Sequence, residues 1–165
     1  MGDSIGTQVQ EAIKDTLLDN LNEFLVDTGQ EFDTRHPPQF GFEPILVQGS
    51  QCPYLGIYEM GSTKGAFSPG DASTPGFAVW NYEYQVWIYV KHAKPEPAAQ
   101  RAKLWVDSMR AVFEKYYTLG AVVTNAEVVS LQPTASASEA GGVIQAAGLD
   151  LDVVLGRAGQ TVTIS

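Results

Sequence analysis

The chain has 165 residues, a formal net charge of −9 at pH 7 and one cysteine, Cys52. This length suits a single domain with its own core, and we expect residues 1–165 to form one. One cysteine excludes an internal disulfide framework and a thiolate zinc site. The acidic balance disfavours wrapping around nucleic acid, which needs clustered Lys and Arg. We expect no membrane span and no export signal, because no apolar run approaches ~18 residues and no basic leader opens the chain.

The first element is an amphipathic helix from Ser4 to about Val26, because apolar residues recur along it every three or four positions. These are Ile5, Val9, Ala12, Ile13, Leu17, Leu21, Phe24 and Leu25. Asp3 or Ser4 is suited to cap its start, and Gly29 to end it. The opposite face predicts a solvated surface or an acidic wall. Its acids are Glu11, Asp15, Asp19, Glu23 and Asp27.

Two short β-rich segments follow the proline-containing break at residues 35–38. They span residues 45–48 and 54–60. Residues 61–76 then contain four glycines and two prolines among Ser and Thr. This composition predicts a long mobile loop, which a binding partner would order.

The strongest strand signal covers residues 77–92, where apolar and aromatic residues alternate. Its second half is apolar on both sides, which predicts a central strand with something packed over each face. Residues 95–119 keep helical spacing between Pro95 and Gly120, and we expect this helix to cover the sheet. Its region also holds most of the basic residues, six bases in residues 91–115, which is typical of a solvated helix face.

The last third of the chain predicts a β-hairpin. Strands are expected over residues 121–131 and 143–155, joined by a loop of small residues at 132–142. In the second strand, Asp150 and Asp152 share the wetter face. Residues 157–165 form a β-prone tail that a monomer leaves without a partner.

These elements predict a single α+β domain in the order helix, three strands, helix, two strands. We expect an antiparallel sheet with both helices on one face. The sequence contains no internal repeat and no domain linker.

The N-terminal residues Gly2-Asp3-Ser4-Ile5 and the later Asp33-x-x-His36 resemble two blocks of the GDSL-type hydrolases. Those enzymes place the serine after a buried strand and bring Asp and His from far downstream. Here no strand precedes Ser4, and about thirty residues separate the two blocks. Helix capping is therefore the favoured role of Asp3 and Ser4.

Other chemical candidates lack the partners that their chemistry requires. The glycines around Lys64 do not open a helix, as a phosphate-binding loop must. Asp150 and Asp152 alone supply too few oxygen ligands for a cation, His36 and His92 have no metal-ligand partner at helical spacing, and Cys52 has no evident activating base. We therefore expect no catalytic, cofactor-binding or metal-binding residues and no enzymatic activity.

The element order resembles that of the tail terminator, or tail-completion, proteins of long-tailed bacteriophages. Residues 116–120, 128–133 and 149–153 also resemble theirs, with the sequences YYTLG, VVSLQP and LDLDV. The resemblance covers nearly the whole chain. It implies a ring, usually hexameric, that caps the tail tube, stops its polymerisation and offers a surface to the filled head. The expected location is the neck of the virion, after assembly in the host cytoplasm.

The resemblance also implies partners and surfaces. The partners are other copies of the chain, the tail tube protein and head-tail connector proteins, while viral DNA passes through the lumen without specific binding. An acidic lumen lets DNA slide because like charges repel. The candidate lumen residues are Asp15, Asp19, Glu23, Asp150 and Asp152, and the candidate interface residues are Tyr54, Lys64, Phe67, Phe77 and Arg157.

Two alternatives remain at the level of sequence. A head decoration protein or another neck component shares the acidity, the loops and the lack of catalytic residues, but binds the capsid or the portal. A small hydrolase would use Asp3, Ser4 and His36, or a pair of carboxylates.

Overall fold

The computed structural model describes residues 4–26, 28–68, 77–139 and 141–156, and the side chains of residues 64, 66–68, 77, 78 and 139 are not described. The predicted α+β class and the predicted order of elements are confirmed over these residues. The elements are α1 (Ile5–Leu25), β1 (Gln39–Gly41), β2 (Tyr54–Ser68), β3 (Phe77–His92), α2 (Pro95–Lys115), β4 (Asn125–Glu139) and β5 (Gly142–Gly156).

The five strands form one sheet in the order β1-β2-β3-β5-β4. β1 is parallel to β2, and every other pair of neighbours is antiparallel. The sheet is therefore mixed, which corrects the expectation of a purely antiparallel one. β3 lies at the centre, as predicted, and β4 is an edge strand.

Both helices pack on the same face of the sheet, as predicted. α2 lies against β3 and β5, while α1 packs against α2 and β2. The core fills the space between these layers. From the helices it takes side chains such as Ile13, Leu17, Leu21, Met109 and Phe113, and from the sheet Leu55, Ile57, Val86, Ile88, Leu149 and Leu151.

The opposite face of the sheet has no helix over it among the described residues. Trp87 and Tyr89, which point to that face, are half-buried. The expectation that something packs over each face of the second half of β3 is therefore supported on the helix side alone within the described residues. Neighbouring strands shield these rings only from the side.

Helix α1 begins with a side-chain cap. The Ser4 hydroxyl oxygen accepts a hydrogen bond from the backbone N–H of Thr7 at 3.1 Å, which satisfies one of the free amides of the first turn. The same turn is tied to the sheet because the Tyr84 hydroxyl donates to the Gly6 carbonyl at 3.2 Å. Burial raises the pKa of the Tyr84 hydroxyl above its usual value, so the hydroxyl acts here as a neutral donor.

A buried amide side chain marks the end of the pairing between β1 and β2. Gln10, which is 6% exposed, donates from Nε2 to the Ile57 carbonyl at 2.9 Å and to the Phe42 carbonyl at 3.3 Å. The last paired residues are Gly41 and Gly56. Gln10 thus supplies a donor where the short strand β1 no longer does.

The segment 45–48 is not a strand, and the first strand lies earlier, at Gln39–Gly41. Only Val47 of that segment is buried, whereas Ile45 and Leu46 are 47% and 89% exposed. The three apolar residues after Pro44 carry no alternation, and such short runs do not discriminate between strand and irregular structure.

The predicted loop 61–76 is strand over its first half. β2 continues to Ser68 and pairs with β3 to the level of Phe77, with register shifts after Glu59 and Lys64. Residues 69–76 lie outside the described residues. Glycines and hydroxyl residues are poor strand formers, but pairing with the aromatic first half of β3 overrides that preference.

The predicted loop 132–142 is also mostly strand, because β4 runs to Glu139 against β5. Conversely, residues 121–124 are not strand, and α2 ends at Lys115 rather than near residue 119. A turn follows in which Leu119, Gly120 and Ala121 all have positive φ, at 50°, 71° and 67°. The tail 157–165 lies outside the described residues.

Candidate functional site

The helix-free face of the sheet, which we call the open face, carries the densest group of polar and aromatic side chains. Alternation along the strands brings every second residue of β2, β3, β5 and β4 to it. Along the strand direction it divides into an aromatic half and an acidic half.

The aromatic half contains Tyr54 and Tyr58 from β2 and Trp87 and Tyr89 from β3. The Tyr54 and Tyr89 rings meet at a centroid distance of 6.0 Å, and the Tyr58 and Tyr89 hydroxyls lie 3.4 Å apart. The Trp87 indole N–H donates to Gln85 Oε1 at 3.1 Å. Burial, followed by the Tyr89 hydroxyl, raises the pKa of Tyr58, so this half is uncharged.

The acidic half is a row of carboxylates across three neighbouring strands. Glu83 of β3 pairs with Asp152 of β5, which pairs in turn with Glu127 of β4. Asp150 lies two residues along β5 on the same face. Like charges in opposed positions repel one another, so this row costs stability in the isolated chain.

The two aspartates of the row have different surroundings. Burial raises the pKa of Asp152 above its usual value, and the charges of Glu83, Glu127 and Asp150 raise it further. Asp150 accepts hydrogen bonds from the Ser130 hydroxyl and from Gln132 Nε2, the latter at 2.7 Å. Hydrogen bonds therefore hold the Asp150 carboxylate in place, whereas the charge of Asp152 is destabilised by burial and by the neighbouring carboxylates.

Two bulges flank the acidic half at the same level of the sheet. β2 shifts register between Glu59 and Gly61, and β4 shifts between Val128 and Ser130. The extra residues, Met60 and Val129, are 55% and 50% exposed and line a shallow cavity of about 380 Å³ with the acids. Bulges bend strands and increase their twist, so both sides of the sheet bend where the carboxylates lie.

The acidic candidates predicted from sequence lie on two opposite surfaces. Asp150 and Asp152 belong to the open face. Asp15 and Asp19 are exposed on the solvent side of α1, beyond the helix layer. Glu23 is engaged by the Lys115 ammonium and by the Tyr116 hydroxyl at 2.7 Å, and these hydrogen bonds lower the pKa of its carboxyl. One lumen cannot be lined by both sets.

The predicted interface residues are only partly within the described region. Tyr54 is 5% exposed, because its ring packs among the open-face aromatics, so burial rather than an exposed position describes it in the isolated chain. The side chains of Lys64, Phe67 and Phe77 lie outside the described ones, and Arg157 lies outside the described residues.

Of the residues of the hydrolase alternative, Asp3 lies outside the described residues, while Ser4, His36 and the neighbouring Asp33 have local contacts. The Ser4 hydroxyl caps α1 and lies 3.1 Å from Thr7 Oγ1, as the capping hypothesis predicted. Asp33 pairs with Arg35 at 3.1 Å, and the guanidinium holds the pKa of that carboxyl below its usual value. His36 is exposed and joins Asp33 through a backbone turn, N to O at 2.8 Å.

Two remaining candidates have local roles. His92 Nδ1 accepts the backbone N–H of Lys94 at 3.0 Å just before α2. The Cys52 thiol is half-buried and donates to the Gln48 carbonyl at 3.7 Å.

Within the described part of the chain, no group of three or more His, Cys, Asp or Glu is placed to hold a metal ion. Over the same residues, no helix is long and apolar enough to cross a membrane.

No protein-family model and no curated protein matches the chain.

Sequence reasoning missed Glu83 and Glu127, which complete the acidic row with the two predicted aspartates. The alternation of β3 already placed Glu83 opposite the buried residues. The strand register that joins it to Asp152 and Glu127 is a long-range property, and no local pattern encodes it.

Proposed function

We propose that this protein is a structural component of a phage virion that acts as a tail terminator. In this role its copies form a ring, six-fold by resemblance, that caps the tail tube and stops its growth. The ring also receives the head and lets DNA through. The observation that carries the proposal is the open face, where a row of carboxylates crosses three neighbouring strands without any covering element among the described residues.

An acidic wall suits a DNA channel for a physical reason. Proteins bind duplex DNA by neutralising its phosphates with Lys and Arg and releasing counterions. A wall that carries Glu83, Glu127, Asp150 and Asp152 offers no such partners, so DNA passes without being retained. Natural proteins tolerate a costly like-charge row at functional sites.

The two bulges beside the acids support the same function. The paired bulges at Met60 and Val129 bend the sheet where the acids lie. A curved sheet serves as one segment of a closed wall, whereas a flat one does not.

The proposal is tested by native mass spectrometry over a wide concentration range, with negative-stain images of the same samples. We expect a closed ring with a central channel. Mixed with tail tubes assembled without a terminator, the ring should decorate one end of each tube. A two-fold dimer that ignores tubes would contradict the proposal, and a ring indifferent to tubes would favour another neck component.

A further inference from the structure

The sheet ends in two free backbone edges. β4 has no strand on its outer side among the described residues. The turn after α2 covers only its start, where Ala126 donates its N–H to the Tyr117 carbonyl at 2.7 Å. On the other side, β1 pairs with β2 only as far as Gly56, and Gln10 takes the Ile57 carbonyl. Within the described residues, no strand therefore pairs with the outer side of residues 58–68 or 128–139.

Long free edges are hazardous because they recruit other strands, and natural proteins normally shorten, charge or cover them. Bulges on both strands, and Pro133 within a second register shift of β4 between Gln132 and Ala135, protect these edges only in part. Ser62 and Thr63 are exposed and uncharged on β2, and Leu131 is 45% exposed on β4. The chain therefore retains two strand edges that are suited to pair with another strand.

The two edges are complementary in direction. Three successive antiparallel pairings separate β2 from β4, so the two strands run antiparallel to each other. When identical copies lie side by side in the same orientation, β4 of one copy meets β2 of the next as an antiparallel pair. Such a pair would continue the antiparallel ladder of β2, β3, β5 and β4 from one copy to the next.

The free stretches are offset along the strands within one copy. The strand register pairs Ser62 with Tyr82, Tyr82 with Val153 and Val153 with Ala126, so Ser62 and Ala126 lie at the same height in the sheet. If the strands of neighbouring copies were not tilted, their free stretches would therefore face each other only near the bulges. Strands in closed barrels tilt by about 35–45°. One copy spans four strands spaced ~4.8 Å apart, so that tilt shifts the next copy along the strand direction by roughly five residues. When the tilt runs in the direction that moves β4 towards the free part of β2, Ser62 of one copy comes opposite Leu131 of its neighbour.

We propose that copies of this chain associate head to tail through a β-ladder between residues 58–68 of one copy and 128–139 of the next, which deepens the proposed ring and rests on it. This pairing satisfies both edges of every copy. A two-fold pairing of β4 with β4 would leave the β2 edge open. Repeated head-to-tail contacts close into a ring when the rotation per copy allows.

The test uses spin labels on two separate pools of the chain. Cys52→Ser removes the native thiol, and Ser62→Cys or Leu131→Cys then adds one labelling site to each pool. The pools are mixed under dissociating conditions and reassembled. Adjacent strands lie about 5 Å apart, whereas equivalent positions on neighbouring copies are separated by a whole four-strand sheet. Thermal melts of each variant, compared with Cys52→Ser alone, check that the fold is intact.

We expect strong dipolar broadening in the mixture and little in either pool alone. Broadening in the Leu131→Cys pool alone would indicate two-fold pairing and overturn the inference. A particle with the mass of a ring but without broadening in the mixture would overturn the ladder and leave the proposed function standing. A chain that stays monomeric would overturn both.

Discussion

Asp150 and Asp152 are neighbours on one strand face, yet their surroundings assign them different energetic roles. Asp150 accepts two side-chain hydrogen bonds from β4, which fix the position of its carboxylate. Asp152 lies between Glu83 and Glu127, and burial and these charges raise its pKa. The first aspartate is positioned, and the second is a site of repulsion.

Asp152→Asn is expected to stabilise the isolated chain by about 0.5 kcal/mol at pH 7, the scale of one unfavourable cross-strand pair. Because the folded-state pKa of Asp152 is raised, the folded state binds the proton more tightly than the unfolded state. The penalty is therefore complete above the raised pKa and disappears as pH falls below the ordinary value of ~3.9. Thermal melts of both proteins between neutral and acidic pH should converge as pH falls.

Asp150→Asn is the matched control, with the same change of charge on the same strand. It exchanges an acceptor of two hydrogen bonds for an amide, and should lower the melting temperature at neutral pH. Equal effects of the two substitutions would contradict the different roles that we assign.

Gln10→Met is expected to lower the free energy of unfolding by about 1–3 kcal/mol, because the buried Ile57 carbonyl loses its donor. In a domain of this size, that corresponds to about 2–4 °C in melting temperature for each kcal/mol. Asn20→Ala serves as control, since its side chain bonds only the Thr16 carbonyl of its own helix at 2.9 Å. If Asn20→Ala lowered the stability as much as Gln10→Met, the loss could not be attributed to the hydrogen bond between Gln10 and the Ile57 carbonyl of β2.

At the scale of elements, the turn after α2 depends on left-handed backbone. Gly120→Ala should destabilise the protein by about 1 kcal/mol, because φ at this position is 71° and a side chain is disfavoured there. No atom lies within 4 Å of the added Cβ, so the cost is conformational. Chemical denaturation measures it.

The adjacent residue provides the reverse experiment. Ala121→Gly, at φ 67°, should relieve the same cost and stabilise the fold by up to about 1 kcal/mol. Changes of the same sign in both variants would argue against this account of the turn.

In β5, Gly148 allows the Trp87 ring to lie flat on the sheet. A Cβ at Gly148 would come within 2.5 Å of Trp87 Cδ2, so Gly148→Ala should destabilise the protein by about 1–3 kcal/mol through overpacking. Gly61→Ala is the control, since nothing lies within 4 Å of its added Cβ. Equal melting temperatures for Gly148→Ala and Gly61→Ala would contradict the close contact between Gly148 and the Trp87 ring.

The elements with strong periodicity were predictable from sequence, and the weak strands were not. α1, β3 and α2 contain enough turns or alternations for the local pattern to decide their state. Residues 61–68 and 132–139 are rich in Gly, Ser, Ala and Thr, which indicates loop. Their strand state comes from the ladders with β3 and β5, and such tertiary pairing overrides local preference.

At the scale of the whole molecule, acids cover two surfaces that the body of the domain separates. The open face carries Glu83 and Glu127, while the outer side of α1 carries Asp15 and Asp19. All four side chains are exposed, so paired substitutions on either surface are matched in exposure and charge. The proposed function places the channel on the open face and not on α1.

The double variant Glu83→Lys with Glu127→Lys should give assembled rings that retain duplex DNA with a steep salt dependence. The double variant Asp15→Lys with Asp19→Lys should show weaker retention. Each changes the net charge from −9 to −5, because every replacement adds two charges. Fluorescence anisotropy with a short duplex at two salt concentrations measures both. Stronger binding by the α1 variant would place the channel on the helix side.

The position of Trp87 makes the open face visible to optical spectroscopy. Trp105 of α2 is 3% exposed in the core, whereas Trp87 is half-buried on the other side of the sheet, with its indole N–H on Gln85. A covering molecule or a narrowed channel would displace water from Trp87 and leave Trp105 unchanged. Trp80 is the third tryptophan of the chain, so the emission wavelength of a Trp80→Phe variant serves as a label-free record of when this face becomes enclosed during assembly.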